Sequence, residues 1–184
     1  SVLLVHGIYA GADSLQWQPI FKLLAEQYQV YAYDLLGFGH SARPHLRYSG
    51  PLYVRLMTDF VRQVIGQRAT VIASSLSGGH AILAANEARD WIRRLILVAP
   101  TGRTAGGGAL SAAAYLTLNI LPDLGEGARN LIASRASIRW YLRNMAYYNR
   151  ATISDELIEY LYRSAHRPGA EHPLIAFLTG HLDV

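Results

Sequence analysis

The sequence has no cysteine, a single lysine (Lys22) and only two methionines. Without cysteine there is no disulfide framework, no thiolate zinc site and no cysteine nucleophile, and the chain suits an oxidising or a reducing compartment equally. Charged residues are scarce, at 16%. No apolar run approaches the roughly 20 residues that span a bilayer. The most apolar window, residues 109–121, is short and broken by polar residues. It reads as a buried or pocket-lining helix, with a membrane-touching lid helix as the alternative, so no stable membrane insertion is expected. No block of Lys and Arg marks a nucleic-acid site, and no nucleic-acid partner is expected. Residues 1–5 lack the charged lead and cleavage site of a secretory leader, which leaves the cytoplasm as the default expectation.

What is present is a globular composition. The 184 residues are 51% hydrophobic with a net charge of +4, enough for one core of ordinary size. The positive charge comes almost entirely from arginines interleaved with acids, which reads as solvated surface.

Residues 1–100 alternate strand and helix. Val2-Leu-Leu-Val5 is a short β-rich run that enters a tight loop at His6-Gly7. Asp13-Ser14 offers an N-cap to a helix over 15–27, with Trp17, Ile20, Phe21 and Leu24 on one face. A second strand over 29–33 ends at Asp34 and the glycine-rich loop 35–41. Pro51 suits a first helical turn, a helix continues over 52–65, and Gly66 is placed to end it. Thr70–Ala73 is a third strand, followed by a sharp connection and a small-residue helix over 77–89. Leu95–Ala99 is a fourth strand, closed by Pro100. Buried strands linked by helices imply a parallel sheet covered on both faces.

From residue 101 the pattern changes. Residues 101–108 are glycine-rich and loop-like. Thereafter only helical periodicity appears, over 109–121, 126–134, 136–147, 154–166 and 173–180, with Ser154 as an N-cap before acids in the first turn. The reading divides the chain into an α/β core over 1–100 and a helical cap or lid over 101–184, set where ligands bind above the strand ends.

The strand–turn–helix around Ala73-Ser-Ser-Leu-Ser-Gly-Gly79 carries the chemistry. A nucleophile elbow holds its central residue in strained backbone geometry and points that side chain into the site. Residues two positions to either side must be small, because strand and helix approach closely there. Around Ser75 these are Ala73 and Ser77, and around Ser77 they are Ser75 and Gly79. Both serines fit. The β-rich run stops at Ala73, which favours Ser75 as nucleophile, with Ser77 as its rival. Alternatively these serines merely allow close packing or cap the helix. His6-Gly7-Ile8 follows the first strand, where a loop places a backbone N–H beside the nucleophile. Ile8 and Leu76 N–H groups are the expected oxyanion hole. His6 reads as a loop histidine bonded to backbone rather than as a base. Tyr9 is the expected substrate-binding residue.

Leu3-Leu-Val-His-Gly7, Ser14-Leu-Gln-Trp17, Tyr33-Asp-Leu-Leu-Gly-Phe-Gly-His-Ser41, Ser75 and Leu95-Ile-Leu-Val-Ala-Pro100 together resemble α/β-hydrolase-fold enzymes in order and spacing. The helical region, including Ser134-Arg-Ala-Ser-Ile-Arg-Trp140, resembles the cap of bacterial members. The resemblance implies an α/β-hydrolase fold with a helical cap and places Asp34 in a structural loop network. It also implies a triad in the order serine, acid, histidine. The acid and histidine normally follow strands after the cap, and no such strands appear here. The expectation is a fragment, lacking the C-terminal strands, that is nearly inactive alone because the triad acid and histidine lie beyond Val184. His181 with Asp183 is a poor substitute, since residues two apart do not face each other in a helix.

The resulting expectation is an esterase-like serine hydrolase acting through an acyl-enzyme on a small or medium ester or related acyl compound, with no metal or organic cofactor. Serine at the elbow argues against relatives with aspartate there, such as epoxide hydrolases and dehalogenases. Esterase, lipase, thioesterase, carbon–carbon hydrolase, perhydrolase and acyltransferase stay open. The alternative is a non-catalytic ligand-binding protein on the same scaffold. A cap that serves as a partner-docking surface is a third option. The sequence gives no oligomeric state.

Overall fold

The structure, a computed structural model, describes residues 1–102 and 109–184. Four strands, β1 (Val2–Val5), β2 (Val30–Tyr33), β3 (Ala69–Ser74) and β4 (Ile92–Val98), form one sheet in the order β2-β1-β3-β4. All pairings are parallel: Val5 lies level with Tyr33 and Ala73, and Ser74 with Val98. The loops leaving the four strands therefore gather along one edge, the usual place for a ligand in an open parallel sheet.

Successive side chains of β1 point to opposite faces. Leu3 and Val5 join Tyr53, Met57, Val71 and Ala73 in the main core. Val2 and Leu4 join Trp17 and Ile72 on the other face. Leu3 and Leu4 are fully buried, each gaining roughly 1.5–3 kcal/mol from leaving water. The second face is thinly covered. Ile20 and Phe21, expected on one face with Trp17 and Leu24, keep 37% and 36% of their surface in water, while Leu24 packs on the small cluster.

Helix α1 (Gln18–Ala25) is preceded by a 3-10 turn, Ser14–Trp17, whose first amides are capped by Asp13. Helix α2 (Gly50–Asp59) starts at a Ser49 cap and runs into a π-helical turn, Phe60–Ile65, closed by Gly66 at φ 66°. Helix α3 (Leu76–Glu87) leaves β3 after one residue. Strand β4 begins three residues earlier than its apolar run. Its exposed Arg93 and Arg94 disguise it, because β4 pairs on one side only, with β3.

Beyond β4 the described residues form helices α4 (Ala109–Ile120), α5 (Pro122–Ile132), α6 (Arg135–Tyr141), α7 (Asp155–Ala165) and α8 (Glu171–Leu178). The glycine-rich stretch read as loop lies, from residue 103 to 108, outside the described residues. Helix α5 begins four residues earlier than its apolar pattern, since Pro122 occupies the first turn, where its missing N–H costs nothing. Helix α6 passes into a π-helical turn, Leu142–Ala146. Ser154 caps α7, accepting the Leu157 amide.

These helices lie over the loops at the carboxyl ends of β1 and β2. Tyr9 stacks on Tyr141 with ring centres 5.2 Å apart. Gly11 abuts the Leu161 carbonyl, and Gly37 meets the Pro173 ring. Arg167 donates to the Gly39 carbonyl at 2.8 Å. Ala176 and Leu182 belong to the main core, and His80 on α3 lies 2.8 Å from the Leu182 carbonyl. The helical region thus returns to the sheet's own helices rather than standing apart.

Candidate active site

Strand β3 ends at Ser74 and α3 begins at Leu76, which leaves one residue to reverse the chain. Ser75 does this at φ 55°, ψ −133°. Among the described non-glycine residues only Ser75 and Ala99 have positive φ, a region costly for any residue with a Cβ. The turn is held from three sides. Ser75 N–H donates to the Val98 carbonyl at 3.0 Å, and its carbonyl accepts from Gly78 (2.9 Å) and Thr101 (3.1 Å). The side chain is part-exposed, and among the described residues Oγ has no hydrogen-bond partner.

Ser77 has a different environment. It is fully buried, and its hydroxyl donates to the His6 carbonyl at 2.7 Å. Small residues are needed around this junction. A Cβ on Gly78 would stand 2.9 Å from the Pro100 side chain, and one on Gly79 would stand 2.7 Å from the Thr101 carbonyl.

The loop after β1 passes directly beside the elbow. A Cβ on Gly7 would lie 3.3 Å from Ser75 Cβ, so only glycine fits without displacing Ser75. Ile8 and Leu76 are buried. Among the described residues neither backbone N–H has an acceptor. His6 is bonded through both ring nitrogens: Leu35 N–H donates to Nε2 at 3.0 Å, and Nδ1 lies 2.7 Å from the Gly7 carbonyl. Burial keeps its pKa below the ordinary histidine value, outweighing the hydrogen bond to Gly7 and the nearby charge of Asp34. Tyr9 is part-buried at the junction of core and helices, and burial, then the neighbouring Tyr147 and Tyr141, push its hydroxyl pKa up.

Asp34 sits in a backbone network. Oδ1 accepts from Ser14 N–H at 2.8 Å, Oδ2 from His40 N–H at 2.7 Å, and its carbonyl from Ser41 Oγ. Burial pushes its pKa up, but these donors outweigh it and hold it below the usual carboxylate range.

The other histidines are engaged elsewhere. His166 Nδ1 lies 2.8 Å from the Tyr162 carbonyl. His45 and His172 meet edge to face. His181 stacks on Tyr115 and contacts Thr179 Oγ1 at 3.0 Å. Among the described residues no imidazole is hydrogen-bonded to Ser75. Two concavities, about 360 Å³ beside Asp13, Phe21 and Tyr160 and about 900 Å³ along 143–150, do not have Ser75 in their linings.

Sequence reasoning missed Gln16, whose Oε1 accepts Gly7 N–H at 2.9 Å. Its only sequence signal is its place between the Asp13 cap and buried Trp17.

A model of the Alpha/beta hydrolase family matches residues 2–182. This chain belongs to that family. The α/β hydrolase is similar to an uncharacterised protein of Mycobacterium tuberculosis (38% identical over 104 residues, 56% of this chain and 30% of that protein). It is similar to 2-hydroxy-6-oxo-2,4-heptadienoate hydrolase of Pseudomonas putida (26% over 170 residues, 91% and 56%). It is also similar to the pimeloyl-[acyl-carrier protein] methyl ester esterase of Aliivibrio salmonicida (35% over 107 residues, 56% and 37%). Among solved structures, the meta-cleavage product hydrolase of Pseudomonas fluorescens superposes with a TM-score of 0.74 at 22% identity, over 100% of this chain and 65% of that one, which shows the shared fold. The chain therefore spans about a third to two thirds of the proteins it matches. Among the described residues no helix is long and apolar enough to cross a membrane.

Proposed function

We propose that the protein is a serine hydrolase in which Ser75 attacks an acyl carbonyl. The observation that carries this reading is the backbone of Ser75, at φ 55° between β3 and α3, with Gly7 packed against it. In this reading Ser75 Oγ forms a bond to the carbonyl carbon and loses its proton to a histidine outside residues 1–184, which a carboxylate outside them orients. The carbonyl oxygen gains negative charge and is met by the Ile8 and Leu76 amides, each donor worth roughly 3–4 kcal/mol. The tetrahedral intermediate expels the leaving group, which takes the proton from the histidine. Water then hydrolyses the acyl-enzyme by the same route.

The substrate we propose is a small or medium ester or related acyl compound with a mostly apolar acyl part. The helices α4–α8 act as a cap over the strand ends. Tyr9, set against Tyr141, lines the path to Ser75. A methyl ester esterase and a 2-hydroxy-6-oxo-2,4-heptadienoate hydrolase among the relatives support an organic substrate that carries an ester or a related carbonyl group. Residues 1–184 alone, without a base, retain only the roughly 10³- to 10⁴-fold that binding and an oxyanion hole supply.

A fluorophosphonate probe on the full-length protein tests the reading. Labelling of the wild type and its loss in Ser75→Ala are expected. A folded wild type that does not label, or labelling that survives Ser75→Ala, overturns it; the first outcome favours a ligand-binding protein on this scaffold.

A further inference from the structure

The His6–Gly7 peptide is held at both ends. Its carbonyl accepts the hydroxyl of Ser77 at 2.7 Å, where Ser77 and His6 are both fully buried. Its N–H donates to Gln16 Oε1 at 2.9 Å. No cis peptide bond occurs among the described residues, and in a trans peptide the C=O and N–H point in opposite directions. Rotating this plane therefore breaks both hydrogen bonds together.

The next plane is fixed from one side. Leu35 N–H donates to His6 Nε2, so Nδ1 carries the proton and donates to the Gly7 carbonyl at 2.7 Å. The Ile8 N–H, opposite that carbonyl, is thereby directed away from the imidazole. Gly7 is the weak point. A Cβ there would crowd Ser75 Cβ at 3.3 Å, and glycine is the residue whose flanking peptides turn most freely. A small residue at position 77 satisfies the packing. Its hydroxyl supplies something packing does not require.

We propose that Gln16 and Ser77 are positioning residues of the oxyanion loop: by gripping opposite ends of the His6–Gly7 peptide, they keep the Ile8 amide aimed at the oxygen that gains charge. The proposal rests on the reading of Ser75 as nucleophile and Ile8 as donor. Gln16 and Ser77 touch neither substrate nor reacting atoms in it; they act through the loop. Transition-state binding suffers when they are lost, and ground-state binding does not.

The test uses the full-length protein with p-nitrophenyl butyrate as substrate, phenylboronic acid as a former of a tetrahedral adduct on the serine, and fluorophosphonate titration to count active sites. Gln16→Leu and Ser77→Ala are each expected to lower kcat per titrated site by roughly tenfold, less than the 10²–10³ of losing a donor outright. KM should stay within about twofold, and boronate affinity should fall by the same factor as kcat/KM. A general loss of folded protein lowers the number of titrated sites but not the turnover of each, so a merely structural role does not give this pattern. Should Ser77→Ala fail to fold, Gln16→Leu at the part-exposed site decides. Variants that label and keep wild-type kcat and boronate affinity, or that change KM alone, overturn the positioning role and leave Ser75 untouched. A wild type that neither labels nor turns over the ester removes both.

Discussion

The imidazole of His6 accepts the Leu35 amide through Nε2 at 3.0 Å, across 29 residues of sequence. This bond ties the loop after β1 to the loop after β2, and it exists only while Nε2 is unprotonated. Burial reinforces that state. His80, also buried, has its pKa lowered for the same reason, partly offset by the Leu182 carbonyl.

Acid should therefore destabilise the fold through these histidines. Unfolded, each protonates near the ordinary value of about 6.5; folded, each does so only at lower pH. Between the two values the unfolded chain binds more protons, so stability rises with pH. The contribution is fully present above about pH 6.5 and is lost as pH falls toward the folded values, at no more than roughly 1.4 kcal/mol per pH unit for each histidine. Asp34 adds a separate loss below the ordinary carboxylate range, because its pKa is lowered in the fold. Urea midpoints measured from pH 7 to pH 5 should fall, and His6→Gln should flatten the slope. A midpoint that stays level or rises toward pH 5 contradicts this.

Ser75→Gly and Ser75→Ala should differ in stability although both remove the hydroxyl. Alanine inherits the strain at φ 55°, and glycine does not. Such positions cost on the order of 1–3 kcal/mol, against the roughly 0.5–1 kcal/mol that glycine loses in flexibility. Thermal unfolding should place Ser75→Gly about 1 kcal/mol above Ser75→Ala. Equal stability would mean that the elbow is relaxed.

Two glycine-to-alanine changes in helices should have opposite signs. In α5 a Cβ at Gly127 meets nothing within 4 Å, so Gly127→Ala should stabilise by roughly 0.5–1 kcal/mol. In α3 a Cβ at Gly79 meets the Thr101 carbonyl and Val184 Cγ2, both at 2.7 Å. Overpacking against backbone should make Gly79→Ala destabilising by about 1–3 kcal/mol. Chemical denaturation of the pair checks both signs.

Tyr160 on α7 donates its hydroxyl to Asp13 Oδ2, while Asp13 Oδ1 caps the turn before α1 through Leu15 N–H at 3.0 Å. Asp13 is 3% exposed. Tyr160→Phe leaves a buried carboxylate oxygen without its donor and should cost about 1–3 kcal/mol. The loss should show as faster hydrogen exchange at residues 13–17 as well as a lower thermal midpoint. A variant with wild-type exchange there argues that water replaces the hydroxyl without penalty.

The strand positions were legible wherever both faces of a strand are buried. Val2–Val5 and the run ending near Ala73 show uninterrupted β formers because their two faces pack into two different core clusters. The start of β4 was hidden, since its Arg93 and Arg94 face water. The π-helical turns at Phe60–Ile65 and Leu142–Ala146 left no trace, because one extra residue per turn barely disturbs apolar spacing over so short a stretch. The reversal at Ser75 could be placed from where the β formers stop. The environments of Ser75 and Ser77 could not be separated, because what distinguishes them is a carbonyl 71 residues away. Gln16 was invisible as a partner of Gly7 for the same reason: a side chain reaching across a loop has no periodicity.

The sheet order β2-β1-β3-β4 has a consequence for how the polypeptide matures on the ribosome. Strand β1 can pair with β2 first, but its second flank stays open until Ala73 has left the exit tunnel, some seventy positions after it by the register with β3. Through that interval its apolar Val2–Val5 segment is half-paired, and an unpaired apolar strand edge is the kind of surface that favours aggregation when synthesis slows.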